Sequence, residues 1–249
     1  MSDENGLTLR TMLRTATPAR VAMERAGDGV STREWLDFKL AHAMARDAVH
    51  AELQTAPLVA ELRAMDLDCV ALTTQAADRG TYLRRPELGR LLSAESAELL
   101  RKKSQGEIAI VVADGLSALA VERHAAALLR ELLPLLDGEK MAPVCVVRQG
   151  RVAVGDAIGA ALGARISVVL IGERPGLSAP DSLGAYLTWM PRAGRTDAER
   201  NCISNIRAEG LSYADAAARI AWYLKAAMRL QLTGVDLKEG SALLPSETV

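Results

Sequence analysis

Aromatic side chains are scarce in this chain: one phenylalanine, three tryptophans and four tyrosines make up 3% of its 249 residues. So few rings leave little surface for stacking on bases or sugars, and a formal net charge of −1 removes any general attraction to phosphate backbones or anionic membranes. Nucleic acid is not an expected partner. Long apolar runs are missing too, and no uninterrupted stretch approaches bilayer length, so no membrane span is expected. The start, Met1-Ser2-Asp3-Glu4-Asn5, is acidic and lacks the cationic and apolar regions of a secretory signal, which makes the cytosol the expected location. Cysteine is sparse. Cys69, Cys145 and Cys202 form an odd, widely separated set that fits reduced thiols better than a disulfide framework or a zinc site. No Gly-x-Gly-x-x-Gly follows an apolar run and no Gly-x-x-x-x-Gly-Lys-Ser/Thr occurs, so neither NAD nor ATP is expected.

What is present is the composition of a globular protein, 49% hydrophobic and 24% charged, at a length that suits one large or two smaller domains. The pattern divides into a helical N-terminal domain, residues 1–60, and an α/β domain, residues 61–249. Leu7 to Arg25 is arginine-rich and reads as partly helical, ending at Gly27-Asp28-Gly29. Ser31-Thr32-Arg33-Glu34 reads as a capping box, and Leu36, Leu40, Ala43, Met44 and Ala48 then recur at helical spacing, an apolar stripe that needs a partner.

From Leu67 the period changes. Cys69–Leu72, Ile108–Val112, Val144–Val147 and Ile166–Ile171 are short, continuous apolar runs rich in β-branched residues. Continuous apolarity points to strands buried on both faces, as in a parallel sheet covered by helices. Between them, Pro86 suits the first turn of a helix through Leu88, Leu91 and Leu92, Leu119 to Leu136 is long and leucine-rich, and Ile158 to Leu162 ends at Gly163. A last helix opens at the second capping box, Ser212 to Asp215, and runs to about Leu230. The end, Glu239 to Val249, reads as loose. The expected fold is α/β: a helical N-terminal domain followed by a Rossmann-like three-layer domain with a mainly parallel sheet.

In open parallel sheets, ligands lie beyond the carboxyl ends of the strands. The segments there are Asp114-Gly115-Leu116-Ser117, Gln149-Gly150-Arg151-Val152 and Gly172-Glu173-Arg174-Pro175-Gly176, which should converge on one rim. Glycines let a ligand approach the backbone, the Glu173 carboxylate can accept amide N–H groups, and the main-chain N–H of Val152 can donate to carbonyls. The rim suits a ligand fringed with amides. Ordinary strand-to-helix turns would explain the same spacing, since fold does not specify function.

These stretches, with Tyr82-Leu83-Arg84-Arg85-Pro86, Gly176-Leu177 and Cys202-Ile203-Ser204-Asn205-Ile206, resemble the small subunit of adenosylcobalamin-dependent ethanolamine ammonia-lyase over roughly Arg20 to Gly234. The resemblance implies adenosylcobalamin held between this chain and a large barrel subunit, which would carry ethanolamine and most catalytic groups. No catalytic residue is expected on this chain. The implied reaction starts with homolysis of the cobalt–carbon bond. The deoxyadenosyl radical then removes hydrogen from C1 of ethanolamine, and amine migration and loss of ammonia leave acetaldehyde; the cofactor carries that chemistry and protein binds and orients. Carried over by motif, the cofactor contacts are Val152 through its backbone N–H, Glu173 and Cys202.

Each has a plainer reading. Val152 could begin a turn toward a helix, Glu173 could pair with Arg174 or Arg151, and a cysteine such as Cys69 or Cys145 inside a strand is a small hydrophobe. Cys202 lies in a polar stretch, so ligand contact requires no reactive thiolate. None of His42, His50 and His124 stands in the Asp-x-His-x-x-Gly pattern of histidine-on corrinoid proteins, so no metal ligand is expected here, and the cofactor should keep its own benzimidazole on cobalt. Arg84 and Arg85 could meet the cofactor phosphate or an acidic patch of the large subunit, and Arg10, Arg14, Arg20 and Arg25 suggest a segment that docks on a partner; ordinary solvated arginines explain both groups equally. The short acidic start argues against the packaging into a bacterial microcompartment known for longer family members. Two rival functions are a structural adaptor of the large subunit that never touches cofactor, and a Rossmann-like enzyme acting alone.

Overall fold

The structure, a computed structural model, describes residues 9–17 and 19–238; the acidic start and the C-terminal stretch from Glu239 lie outside them. Helix α1 (Leu9–Ala16) is followed by a small antiparallel hairpin, β1 (Arg25–Ala26) with β2 (Gly29–Val30), that turns through Gly27. Ser31 then caps α2 (Thr32–His50), its hydroxyl accepting from the Glu34 N–H at 3.4 Å. Only half of the expected capping box forms. The Glu34 carboxylate does not reach back to the cap; it pairs with Arg14 at 3.0 Å and accepts the Glu24 N–H at 3.4 Å, which ties the arginine-rich segment to α2.

The stripe on α2 is also turned about the helix axis relative to expectation. Glu34, Ala45 and Ala48 face inward, whereas Leu36, Leu40 and Met44 are 58%, 62% and 52% exposed. Helix α3 (Thr55–Arg63) follows and buries Leu58 and Leu62.

The sheet has the order β3-β5-β4-β6-β7-β8, from β3 (Cys69–Thr73), β4 (Ile108–Ala113), β5 (Val144–Arg148), β6 (Ile166–Gly172), β7 (Leu183–Trp189) and β8 (Arg200–Ile206). β3, β5, β4 and β6 pair in parallel; β7 runs antiparallel to β6, and β8 antiparallel to β7. The fold is therefore α/β with a mainly parallel sheet behind a helical N-terminal part, as the pattern of apolar runs indicated. β7 and β8 are additions to that reading. β8 is an edge strand whose Arg200, Asn201, Ser204 and Asn205 carry no continuous apolar signal.

Alternation along the central strands feeds two cores. Ile108, Ile110 and Val112 of β4 pack with α3, α6 (Ala118–Leu132) and α8 (Tyr213–Leu230), while Ala109, Val111 and Ala113 pack with α5 (Ala94–Arg101) and α7 (Val154–Ala161). The three layers follow, with Leu128, Leu129, Ile220 and Leu224 on one side and Leu100, Ile158 and Leu162 on the other. Pro86 does not open an α-helix: it lies between α4 (Arg79–Arg84) and a single 3-10 turn, Leu88–Arg90. No helix among the described residues is long and apolar enough to cross a membrane.

The helical layer is joined to the loop after β6 by polar ties. His124 of α6 shares a 2.9 Å hydrogen bond with the Tyr213 hydroxyl, lies 3.5 Å from Asp181, and is flanked by Arg123, which donates to Asp181 at 2.7 Å. Burial lowers the imidazole pKa, opposed by Asp181. A histidine held neutral in the fold binds its proton more readily when unfolded, so its contribution is present above the ordinary value of 6.5 and is lost as pH falls through the depressed one. Unfolding free energy should therefore decline as pH drops below 6.5, well before Asp181, itself held below its ordinary 3.8, takes up a proton. Denaturant titrations of wild type and His124→Gln across that range should show a flatter slope in the variant; equal slopes would assign the decline to other groups.

Candidate functional site

The chain switches sides at the middle of the sheet. After β4 it enters α6 on one face, and after the neighbouring β5 it enters α7 on the other, so the carboxyl ends of these strands part and leave a crevice. A cleft of about 440 Å³ lies there, lined by Tyr82, Gly115, Leu116, Arg151, Val152, Ile171, Gly172, Glu173, Arg174 and Tyr186. All three expected segments reach it.

Its floor is built on the carboxylate of Asp114, which is fully buried. One oxygen accepts the Gln149 N–H at 2.8 Å and the other the Gly150 N–H at 2.9 Å, stitching the end of β4 to the turn after β5. Burial raises this carboxyl's pKa, while the two N–H groups and Arg79, 3.7 Å away, hold it down. Arg79 in turn donates to the carbonyls of Val49 at 2.7 Å and Gly115 at 2.8 Å, connecting α2 to the floor. Glycine is required where these turns meet. Gly115 has φ +55°, and a Cβ on Gly172 would stand 2.0 Å from the Ser117 carbonyl oxygen.

Val152 precedes α7 and lines the cleft, and its backbone N–H has no partner among the described residues. Glu173 lies on the other side of β4, after β6. It opens a hairpin loop into β7 rather than a turn into a helix, with its N–H bonded to the Ser182 carbonyl at 2.9 Å. Its Oε2 accepts from the Ser182 hydroxyl and from the Asn205 N–H at 3.3 Å; Oε1 has no hydrogen-bond partner among the described residues. Neither Arg151 nor Arg174 forms an ion pair with Glu173 among them.

Cys202 is on β8, directly opposite Tyr186 on β7. It is exposed and does not itself line the cleft, although Tyr186 does. Crowding beside Tyr186 and Glu173 removes enough water from the sulfur to push its pKa above the ordinary thiol value, with the Tyr186 hydroxyl working against that shift. Cys202 is a neutral thiol at neutral pH. The residues just before it are structural: Arg200 forms a two-pronged pair with Asp156 of α7, at 2.7 Å on each prong, and Asn201 bonds Gly234 and Leu237.

Two lining residues, Tyr186 and Arg151, had no site role in the sequence reading. Tyr186 follows an apolar Leu-Gly-Ala run in a strand that carries no pairing signal of its own, and the sequence offers Arg151 only as a neighbour of Val152 and a possible partner of Glu173. Arg84 and Arg85 are exposed and away from the cleft lining, and Arg85 pairs with Glu87.

The family model for the ethanolamine ammonia-lyase light chain matches residues 9–238. The chain belongs to this family. Curated relatives named ethanolamine ammonia-lyase small subunit include one from Bradyrhizobium diazoefficiens, 56% identical over 92% of this chain and 90% of the relative. One from Azotobacter vinelandii is 54% identical over 96% and 92%, and one from Xanthomonas campestris pv. campestris is 54% identical over 91% and 86%. Membership turns the question to whether the cleft fits the group this light chain family implies. Cobalamin is fringed with amide arms, each offering a carbonyl and an N–H. The cleft presents a free N–H at Val152 and a free carboxylate oxygen at Glu173 on opposite sides of β4. The residues fit.

Asp114→Asn should report on the floor. An amide there would face one N–H with another donor and leave Arg79 without a counter-charge, a loss of about 3–5 kcal/mol in unfolding free energy. Urea denaturation measures it; a loss below about 1 kcal/mol would mean that the stitch between β4 and β5 lies elsewhere.

Proposed function

We propose that this chain is the small subunit of an adenosylcobalamin-dependent ethanolamine ammonia-lyase, and that its cleft is one wall of a cobalamin site completed by a larger barrel subunit. The observation that carries the reading is the pair of unused polar groups on either side of β4: the Val152 N–H and Glu173 Oε1. A buried or half-buried polar group without a partner costs free energy that a ligand amide would recover. Val152, Glu173 and Cys202 would hold the cofactor, the first as donor, the second as acceptor and the third as a neutral contact at the rim.

When bound, adenosylcobalamin supplies the radical chemistry that converts ethanolamine to acetaldehyde and ammonia. The residues of this chain bind and orient. Burial raises the Tyr82, Tyr186 and Cys202 pKa values away from neutrality, and the Asp114 oxygens are committed to backbone, so these groups are poorly placed to exchange protons with a substrate. That supports a division in which the partner carries ethanolamine and the catalytic groups, and in which this chain is inactive alone.

The helical front part, residues 1–60, is proposed as the docking domain and residues 61–249 as the cofactor-contacting domain. An apolar recess of about 340 Å³ is lined by Met23, Val30, Trp35, Phe38 and Leu177. Leu177 belongs to the hairpin loop that begins at Glu173, so one loop borders both the cleft and the recess. The large subunit is the occupant this shared loop favours, because a partner that meets the loop at the cleft lies close to the recess as well.

Glu173→Ala should weaken cobalamin binding by the two-subunit complex about tenfold or more, the worth of a charge-assisted hydrogen bond. A corrin absorbance titration measures it, and unchanged affinity would leave the chain as a structural adaptor. For docking, Leu36→Asp with Leu40→Asp should leave the unfolding free energy of the isolated chain within about 0.5 kcal/mol, since both residues are already exposed, while lowering association with the large subunit at least tenfold. Sedimentation of the mixed subunits reads the second effect; undiminished association would place the interface elsewhere.

A further inference from the structure

Two cations line the cleft, and neither is paired among the described residues: Arg174 is exposed, whereas Arg151 is half-buried. Arg151 follows β5, and its guanidinium makes no hydrogen bond or ion pair among the described residues; its Nε is buried and unsatisfied. Three nearby arginines are engaged. Arg79 has Asp114, Arg200 has Asp156, and Arg195 has Glu199.

Arg151 is nevertheless held in place. Its N–H donates to the Gly89 carbonyl at 2.8 Å, and its stem passes so close to Gly89 that a Cβ there would meet Arg151 Cγ at 3.0 Å. The guanidinium carbon lies 4.2 Å from the ring centroid of Tyr82. That ring is a rigid platform, fully buried, with its hydroxyl donating to the Gly150 carbonyl at 3.1 Å. The stacking restrains the flat side of the guanidinium and leaves its edge of N–H donors unused.

The position is a junction. A second cleft, of about 420 Å³, shares Arg151 and Val152 with the first and is lined further by Arg90, Arg195, Thr196, Asp197 and Arg200. A pre-oriented, unpaired guanidinium at the meeting of two clefts is a receptor for one oxyanion, and a planar fork of donors matches phosphate.

We propose that Arg151 binds the phosphodiester of the cofactor's nucleotide arm. This rests on the reading of the cleft as a cobalamin wall. Cobalamin's side arms are neutral amides, and the phosphodiester is the one anionic group on its periphery, so a cation fixed in the cleft wall has a single complement there. The anion-pairing role considered for Arg84 and Arg85 moves with it to a residue inside the cleft.

The test uses the complex of this chain with its large subunit and two ligands, cobalamin and cobinamide, the latter lacking the nucleotide arm and its phosphate. Binding is followed by corrin absorbance, without turnover. Arg151→Met should weaken cobalamin about 10- to 100-fold and leave cobinamide affinity unchanged, and Arg151→Lys should recover part of the loss. Retained cobinamide binding also shows that the variant is folded and assembled. Equal weakening of both ligands by Arg151→Met and Arg151→Lys would overturn the proposal, as would weakened subunit association with no change for either corrinoid, which would identify a partner carboxylate as the anion. If Glu173→Ala impairs both corrinoids while Arg151→Met impairs neither, the cleft reading survives and only this assignment fails. If the wild-type complex binds neither corrinoid, both fall.

Discussion

The buried carboxylate of Asp114 is the constraint from which the cleft is built. Two adjacent parallel strands send their helices to opposite faces, and the turns that follow them would diverge without a tie. Asp114 supplies it by accepting the N–H groups of Gln149 and Gly150 across the gap between β4 and β5. Arg79 balances the charge and extends the tie to the Gly115 and Val49 carbonyls. A buried ion pair of this kind adds little net stability over an apolar pair of the same shape, but leaves one arrangement of its surroundings satisfied. Here that arrangement holds the turn bearing Arg151 and Val152 at a set distance from the turn bearing Gly115.

The second half of the cleft depends on the antiparallel addition to the sheet. Because β7 returns beside β6, the segment after Gly172 becomes a hairpin loop, and Glu173 is held at its base by Ser182 and Asn205. β8 then sets Cys202 opposite Tyr186. The Arg200–Asp156 pair locks β8 to α7, just after the Val152 turn, so Val152, Glu173 and Cys202 are linked through a single set of polar ties. The hairpin loop is also fastened to α6, by Ser117 to the Pro180 carbonyl and by Arg123 to Asp181.

These ties are rigid where the chain meets itself and open where it does not. Val152, Glu173 Oε1 and Arg151 remain unsatisfied on the cleft side, and Leu36, Leu40, Met44, Trp35 and Leu177 remain uncovered around α2. These open groups, beside an exposed apolar face, support the proposed reading of the cleft as one wall of a shared site.

By itself, the order of residues determined the strands and helices that rest on strong local signals. Continuous β-branched runs announced β3 to β6, Ser31 and Ser212 announced the helix starts, and turn glycines and polar residues after each strand marked the rim, because burial on both faces and capping leave direct traces in composition. Val152 and Glu173 were legible for that reason, as residues following strands. β7 and β8 were not, since an edge strand with a polar face resembles a loop until its neighbour is known. The facing of α2 was not legible either: helical periodicity locates an apolar stripe but not whether the same chain covers it. Only the tertiary structure decided that Asp114 is committed to backbone, that Cys202 lies beside Tyr186, and that Arg151 is stacked on Tyr82 without a counter-charge while Arg79, Arg195 and Arg200 have one. Those outcomes depend on contacts between residues tens of positions apart, and local sequence carries no record of them.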